Sequence, residues 1–256
     1  MSDPVKIYPA RPTKVYFYAT CLVDLFFPDA GLAGVQLLER EGIQVLFPQN
    51  QTCCGQPAYS SGFNDQAREV ILPQLDLFPE DYPIVVPSGS CAGMMRQHYP
   101  ELFAGTPQAA QAEALAARTW ELTDFLLQVC QIKLQDRGQP IKVAMHTSCS
   151  ARREMGIAAV GPALLGQLAQ VELVEQARPA ECCGFGGTFA LRHEEISGAM
   201  VKDKAEALVA AGAEQFVTTD CGCMMNIAGY AAKQKLPLQG QHIVSFLWER
   251  TQGEAS

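Results

Sequence analysis

The sequence predicts an α/β protein made of two pseudo-repeated βαβ cysteine-rich domains, each with a parallel sheet. Short β-like runs alternate with helical runs in each half, which is typical of parallel sheets. A cysteine pattern also occurs twice at a nearly constant offset. We therefore predict one domain over 1–138 and a second over 139–256, with the boundary near Gly138. The matching cysteines lie 128, 129 and 130 positions apart: Cys21 and Cys149, Cys53 and Cys182, Cys91 and Cys221.

The first half contains three predicted strands and three predicted helices. Gly42 should end the first helix, because glycine adopts the left-handed conformation of a helix C-terminus without strain. The strands are expected at 15–19, 43–47 and 84–86, and the helices at 29–40, 65–75 and about 108–135.

The second half repeats this order of elements and also repeats local sequence. Both adjacent cysteine pairs are followed by glycine, Gly55 and Gly184, and LTDFLL at 122–127 resembles IVSFLW at 243–248. Strands are expected near 141–145, 171–174 and 215–219, and helices near 162–169, 194–211, 224–235 and 242–250.

The composition is that of a globular acidic protein. Apolar residues make up 48% of 256 residues and the formal net charge is −8. No Lys/Arg run is visible, so nucleic acid is not an expected partner. No signal peptide and no apolar run long enough for a membrane span occur, which predicts a cytoplasmic protein. Thiols stay reduced in that compartment, so ten cysteines indicate metal binding or redox chemistry rather than disulfides.

Nine of the ten cysteines are expected to meet at sheet edges. Single cysteines lie just past predicted strand ends, and each adjacent pair lies in the loop after the second strand of its half. Ligands of open parallel sheets bind at that edge. Cys130 has no counterpart in the repeat and is predicted to be a buried core residue. The nine are Cys21, Cys53, Cys54, Cys91, Cys149, Cys182, Cys183, Cys221 and Cys223.

Such a group of thiols can bind zinc, bind an iron–sulfur cluster or exchange disulfides. The paired short knuckles of structural zinc sites and the ferredoxin cysteine run are both missing. Adjacent cysteines leave the backbone in different directions, which favours a site larger than one metal ion. The glycine after each pair lets backbone N–H groups approach sulfur. Structural zinc and thiol–disulfide exchange remain the alternatives.

His146 lies three residues before Cys149 at a predicted strand end. It can donate to a cluster sulfur or move protons, but a hydrogen-bonded core histidine is the preferred prediction. The Gly-rich run 184–187 does not match the dinucleotide-binding pattern, because Phe189 occupies the last glycine position. No flavin or nicotinamide motif is present, so substrate oxidation is expected to need partner proteins.

The pattern of a cysteine, a Cys-Cys-Gly triplet and a closing cysteine, written twice, resembles the cysteine-rich CCG domain family. That family includes the cysteine-rich subunit of heterodisulfide reductase and the iron–sulfur subunits of glycolate oxidase and anaerobic glycerol-3-phosphate dehydrogenase. The likeness to its lactate-utilization members covers nearly the whole chain. The phrases that carry it are FYATCLVDLF, CCGQPAYSSG, PSGSCAGM, CCGFGGTFA, EISGAMVKDK and DCGCMMNI.

The resemblance implies an iron–sulfur redox subunit of a multi-protein system that oxidises L-lactate, or a similar 2-hydroxy acid such as glycolate, to the 2-oxo acid. It implies one or two clusters per chain, of the [4Fe–4S] type. The implied partners are other lactate-utilization subunits, namely a ferredoxin-like iron–sulfur protein and a third component. The implied ligands are Cys21, Cys53, Cys54 and Cys91 in the first repeat, and Cys149, Cys182, Cys183, Cys221 and Cys223 in the second.

The closing motifs depart from the family pattern in both repeats. In the heterodisulfide reductase relative, each repeat closes with two cysteines separated by two residues. Here the first repeat has Cys91 alone, and the second has Cys221 and Cys223 separated by one residue. Four cysteines are enough for an ordinary [4Fe–4S] cluster. The unequal counts predict that the two repeats do not bind equivalent cofactors.

Overall fold

The computed structural model describes residues 6–252, which form two four-stranded parallel sheets. All strand pairs are parallel, and both sheets have the same strand order. The first sheet, in the order β2-β1-β3-β4, consists of β1 (Lys14–Phe17), β2 (Gln44–Leu46), β3 (Ile84–Val86) and β4 (Thr119–Glu121). The second, in the order β6-β5-β7-β8, consists of β5 (Ile141–His146), β6 (Val171–Leu173), β7 (Gln215–Thr218) and β8 (Gln239–His242).

Helices connect the strands of the first half. They are α1 (Cys21–Phe26), α2 (Pro28–Arg40), α3 (Gln56–Ser60), α4 (Asn64–Leu75), α5 (Gly89–Gly93), α6 (Tyr99–Phe103), α7 (Ala109–Ala117) and α8 (Leu122–Asp124). Segments of π-helix extend α5 over Met94–His98 and α8 over Phe125–Val129.

The helices of the second half follow the same plan. They are α9 (Cys149–Arg153), α10 (Val160–Leu165), α11 (Phe189–Arg192), α12 (Glu194–Ala210), α13 (Cys221–Lys233) and α14 (Ile243–Thr251). None of the helices in residues 6–252 is long and apolar enough to cross a membrane.

The predicted fold class is confirmed, and six of the eight strands fall where the sequence predicts them. The single helix predicted over 108–135 is wrong, because β4 divides it and Gln131 takes a positive φ of 53°. Strand β8 has no predicted counterpart either. The helix predicted from 224 begins at Cys221 instead, which puts both closing cysteines of the second half in its first turn. Division of the chain at residue 138 stays a prediction.

The core lies between the sheets and the helices that cover their faces. All three residues of β3 are fully buried, and Val15 and Phe17 of β1 are at most 1% exposed. Inner strands of a parallel sheet are apolar on both faces because helices pack on both sides. The sheet edges where the strands end are therefore held by a rigid frame.

Contacts between the two halves come in equivalent pairs, as a two-fold arrangement of similar units requires. Helix α5 packs against α9, and its counterpart α13 contacts α1. Likewise α14 packs against α2, while α8 contacts α10. Helices α1, α5, α9 and α13 each come directly after a strand, and each has a cysteine in its first turn. The cysteine-bearing ends of both sheets therefore face each other across the interface between the halves.

A buried carboxylate joins the halves at the centre of this interface. Asp220 Oδ1 accepts hydrogen bonds from Ser88 Oγ at 3.0 Å and from the backbone N–H of Ser90 at 2.9 Å. Its second oxygen accepts from Thr219 Oγ1 at 3.0 Å. Burial alone would raise the pKa of Asp220, but its hydrogen bonds from serine side chains and the Ser90 N–H outweigh burial and hold the pKa below its ordinary value. The carboxylate is therefore ionised and fully used as an acceptor.

The last helix completes the surface of the first half. Arg40, at the end of α2, donates to Thr251 Oγ1 at 2.8 Å and stacks 5.7 Å from the ring centroid of Trp248. Arg250 binds Asp136 through two hydrogen bonds of 2.9 and 2.8 Å, and the Asp136 side chain is fully buried. These contacts fix α14 between the two halves.

Candidate metal centres

The first site brings together the four predicted thiols of the first repeat. Cys21 lies beside Cys53, Cys53 beside Cys54, and Cys54 beside Cys91, close enough that the pKa of a thiol depends on its neighbour. Cys21 begins α1, and Cys91 lies in the first turn of α5, where its N–H donates to Ser88 Oγ at 3.3 Å. We call this four-cysteine group the first thiol site.

The second site has the same chain of contacts in the second half. Cys149 contacts Cys182, Cys182 contacts Cys183, and Cys183 contacts Cys223. Cys149 begins α9, and Cys223 lies in the first turn of α13. We call this group the second thiol site. The prediction that loops at strand ends bring distant cysteines together is confirmed in both halves.

The closing thiol differs between the two sites. Cys221 is the sequence counterpart of Cys91, but Cys223 is the residue that contacts Cys183. Cys221 is 3% exposed, and its pKa is raised by burial, by Asp220 and by Cys91 of the other half. It therefore lies near Cys91 of the first site and outside the contact chain of the second. The resemblance assigned it to the second set, and its ligand role stays a prediction.

Hydrogen bonds among the thiols decide which sulfur ionises first. The pKa of Cys53 falls to about 3, because Cys21 and then Cys54 donate to it, with further help from the N–H groups of Gly55 and Cys54. The pKa of Cys54 rises well above its ordinary value, because it is the donor to Cys53 and is buried. Cys21 and Cys149 each begin a helix, but the pKa of each is raised, because each donates to the first cysteine of the adjacent pair and is partly buried.

The glycine after each cysteine pair is required by the turn that presents the pair. Gly55 and Gly184 have φ values of 84° and 83°, which side chains rarely adopt. The N–H of Gly184 donates to Cys182 Sγ at 3.4 Å, as the sequence predicted for this position. A Cβ at Gly184 would lie 2.8 Å from the carbonyl oxygen of Ser197, which itself packs in α12. The turn therefore cannot take alanine without strain.

Replacing Gly184 by alanine should destabilise the protein by about 2–4 kcal/mol, from the positive φ and the close contact with Ser197. Urea unfolding followed by circular dichroism measures this change. Gly198 in the middle of α12 is the matched control, because a Cβ there meets nothing within 4 Å. Gly198→Ala should leave stability unchanged or raise it by up to ~1 kcal/mol. Equal effects of the two substitutions would contradict the expectation.

The prediction that His146 is a hydrogen-bonded core histidine is wrong. The residue is fully buried at the end of β5, but neither ring nitrogen has a hydrogen-bond partner among residues 6–252. Burial lowers its pKa to about 3, so the imidazole is neutral at pH 7. A ring nitrogen and the sulfurs of Cys183 and Cys223 all lie within 4.8 Å of one another. A buried His146 nitrogen without a hydrogen-bond partner therefore lies next to the second thiol site.

Cys130 lies outside both sites, as predicted. It is 2% exposed at the end of the π-helical segment after α8, and burial raises its pKa to about 12. It is a small apolar core residue, and it serves as an internal control for cysteine substitutions.

The donor atoms of both sites fit an iron–sulfur cluster. A [4Fe–4S] cluster is held by four cysteine thiolates, and each site offers four thiols linked by a chain of contacts. Cys54 and Cys183 are 2% and 1% exposed, while Cys53 and Cys182 are half-buried. Each adjacent pair thus combines one buried cysteine with one that is partly exposed. Zinc accepts four thiolates as well, so donor type alone does not separate the two.

Two parallel-sheet halves with a four-thiol site at each facing edge define a duplicated cysteine-rich α/β protein. The sequence profile of the family described as the cysteine-rich domain, CCG, matches residues 15–96 and again residues 143–228. The chain belongs to this cysteine-rich CCG domain family. The two matched segments contain all nine of the repeated cysteines.

Curated relatives match the chain along almost its entire length, and each is named lactate utilization protein A. The protein of Geobacillus kaustophilus is 42% identical over 237 residues, which cover 91% of this chain and 98% of the relative. The protein of Bacillus subtilis is 40% identical over 240 residues, covering 93% of this chain and 100% of the relative. The protein of Macrococcus caseolyticus is 38% identical, covering 91% and 96%.

Proposed function

We propose that this protein is an iron–sulfur redox subunit of a cytoplasmic multi-protein system that oxidises L-lactate, or a similar 2-hydroxy acid such as glycolate, to the 2-oxo acid. The observation that carries the proposal is the pair of four-thiol sites at the interface between the halves. A [4Fe–4S] cluster in such a site supplies one-electron transfer. The name shared by the relatives supports lactate as the substrate of the system.

The residues proposed to hold the clusters are the thiols of the two sites. Half-buried Cys21, Cys53 and Cys91 surround buried Cys54 in the first site, and Cys149, Cys182, Cys183 and Cys223 form the second. Cys221 is the ninth proposed ligand, and its pKa is raised by burial, by Asp220 and, among the thiols, by Cys91 of the first site. Five of these cysteines lie in the first turn of a helix, where the helix N-terminus stabilises the negative charge of a bound thiolate.

Substrate oxidation is proposed to take place on partner subunits. A ferredoxin-like iron–sulfur protein and a third component would accompany this chain, in keeping with the shared name of the relatives. The role of this chain would then be to hold redox centres away from water, at an interface closed by α5 and α9.

Metal content is the first test of the proposal. Protein purified without oxygen should contain iron and acid-labile sulfide in similar amounts, on the order of four of each per loaded site. An EPR signal should appear on reduction. Cys130→Ala is the control, and it should keep the full iron content because Cys130 lies outside both sites. Stoichiometric zinc without iron, or protein with neither metal, would overturn the cluster assignment.

Growth tests the substrate separately. Cells lacking the gene should lose growth on L-lactate as sole carbon source and keep growth on pyruvate, and the intact gene should restore growth. Restoration should fail with the Cys53→Ser/Cys54→Ser variant. Growth on L-lactate and glycolate that is unaffected by the deletion would remove both substrates from the proposal.

One observation favours a thiol–disulfide enzyme as the second candidate function. Cys53 is half-buried rather than buried, and its low pKa makes it a thiolate at neutral pH. Metal-free protein that reduces a disulfide, with the activity lost in Cys53→Ser, would favour this candidate over the cluster. Activity that needs the metal would favour the cluster.

A further inference from the structure

The two repeats differ at one buried position beside the thiols. His146 stands 128 residues after Tyr18, at the same offset that relates Cys149 to Cys21. Tyr18 is fully buried, and its hydroxyl donates to the carbonyl of Thr52 at 2.6 Å. In the first repeat the polar atom at this position, the Tyr18 hydroxyl, therefore has a hydrogen-bond partner in the protein. In the second repeat both nitrogens of His146 lack a partner among residues 6–252.

Two of the three charged groups near His146 are already engaged elsewhere. Lys204 donates to Gln176 Oε1 at 3.0 Å and to the Arg178 carbonyl at 3.1 Å. Asp220 accepts from Ser88, Ser90 and Thr219. Buried polar atoms in native proteins almost always have a partner, and an exception points to an ion or ligand. Arg152 is the third charged group, and its buried Nε has no partner among residues 6–252. The sulfurs of Cys183 and Cys223 are the polar atoms that the structure places within 4.8 Å of a His146 nitrogen.

The closing cysteine shifts toward this histidine in the second repeat. Cys223 replaces Gly93 of the first repeat, and its sulfur lies within 4.8 Å of both Cys183 and the nearer His146 nitrogen. A Cβ at Gly93 would lie 2.2 Å from Glu154 Oε2, so a cysteine there would require the Glu154 carboxylate to move. The His146 and Cys223 pair is therefore particular to the second site.

We propose that His146 is a nitrogen ligand of the metal centre in the second thiol site, a fifth donor beside the four thiols, which gives that centre a mixed sulfur and nitrogen donor set. Imidazole and thiolate both bind iron and zinc, and a neutral imidazole binds through its free lone pair. The proposal rests on the proposed metal centres. It also accounts for the difference between the repeats, because the first thiol site has sulfur donors and Tyr18 in place of histidine.

Nitrogen hyperfine spectroscopy tests the proposal directly. The full-length protein is purified without oxygen, with ¹⁵N-labelled histidine, and iron, sulfide and zinc are measured on the same sample. A strong coupling to a directly bound nitrogen should appear in the pulsed EPR spectrum of the reduced protein and change with the isotope. It should vanish in His146→Ala and persist in His193→Ala, because His193 is exposed at the start of α12. Absence of this coupling at full iron content would overturn the proposal and leave the clusters standing.

A second variant keeps the test decisive if His146→Ala does not fold. His146→Cys supplies a sulfur donor, and thiolate in place of imidazole lowers the reduction potential of an iron–sulfur centre. One redox transition should therefore move to lower potential while the other stays in place. If the protein holds zinc instead of iron, cobalt(II) exchanged for zinc should show the same nitrogen coupling, lost in His146→Ala. Protein without any metal would overturn this proposal together with the proposed function.

Discussion

Replacing Cys182 and Cys183 by serine is expected to empty the second thiol site and leave the first one loaded. The pair supplies two of the four thiols of this site, one buried and one partly exposed. A serine hydroxyl is a much weaker ligand than a thiolate. Iron and sulfide per chain should fall by roughly half, a loss on the order of four of each. Metal analysis and EPR of anaerobic protein measure the change. The reciprocal variant at Cys53 and Cys54 should remove the other centre.

Two single variants on the same helix sharpen this prediction. Cys223→Ser should reduce the iron content, because Cys223 contacts Cys183 in the second thiol site. Cys221→Ser should have the smaller effect, because Cys221 lies outside that contact chain. If either double-serine variant loses all of its iron, the protein does not have two separate centres. If Cys221→Ser loses iron and Cys223→Ser does not, the assignment of Cys223 to the second thiol site is wrong.

Replacing Asp220 by alanine is expected to lower the free energy of unfolding by roughly 2–4 kcal/mol. The change leaves Ser88, Ser90 and Thr219 with buried donors and no acceptor, and each unsatisfied donor costs ~1–3 kcal/mol. Part of that cost is recovered, because Ser88 and Ser90 hydroxyls lie 3.2 Å apart and can bond each other. Urea unfolding of the anaerobic protein measures the loss.

Asp203→Ala is the control for this experiment. Asp203 is exposed on α12, where substitutions usually change stability by no more than ~0.5 kcal/mol. Asp220→Asn should fall between wild type and Asp220→Ala, because the amide oxygen still accepts. A fully stable Asp220→Ala protein would show that other contacts hold the halves together.

The sequence patterns predicted the inner strands and missed the fourth strand of each sheet. Strand β3 is a buried run of β-branched residues, which is a strong signal on its own. Strand β4 is three residues long and adjoins an alanine-rich helix, while β8 contains glycine and glutamine. Both are strands because they pair with a neighbour, and single-sequence patterns do not contain that information. The similar segments LTDFLL and IVSFLW did indicate equivalent positions in the two halves, because each begins directly after the fourth strand of its sheet.

The sequence also predicted the meeting of the thiols, because strand ends in parallel sheets share one edge. It did not predict which closing thiol joins the second site. Cys221 and Cys223 lie two positions apart on a helix, so their side chains point in different directions, and only the start of α13 decides which faces Cys183. The missing partner of His146 likewise depends on packing around Lys204 and Asp220. The substitution of histidine for Tyr18 between repeats was the one available signal.

Helix α14 of the second half packs on α2 of the first half, which determines when the surface of the first half can be covered during synthesis. Helix α2 is made early, but α14, which covers it, is made only after all four strands of the second sheet. The first half therefore keeps an uncovered helix face until α14 emerges, and chains emerge at ~5–20 residues per second. A chain that stops before Ile243 would never cover that face. Such a product should be held by chaperones or degraded rather than accumulate as an independent first half.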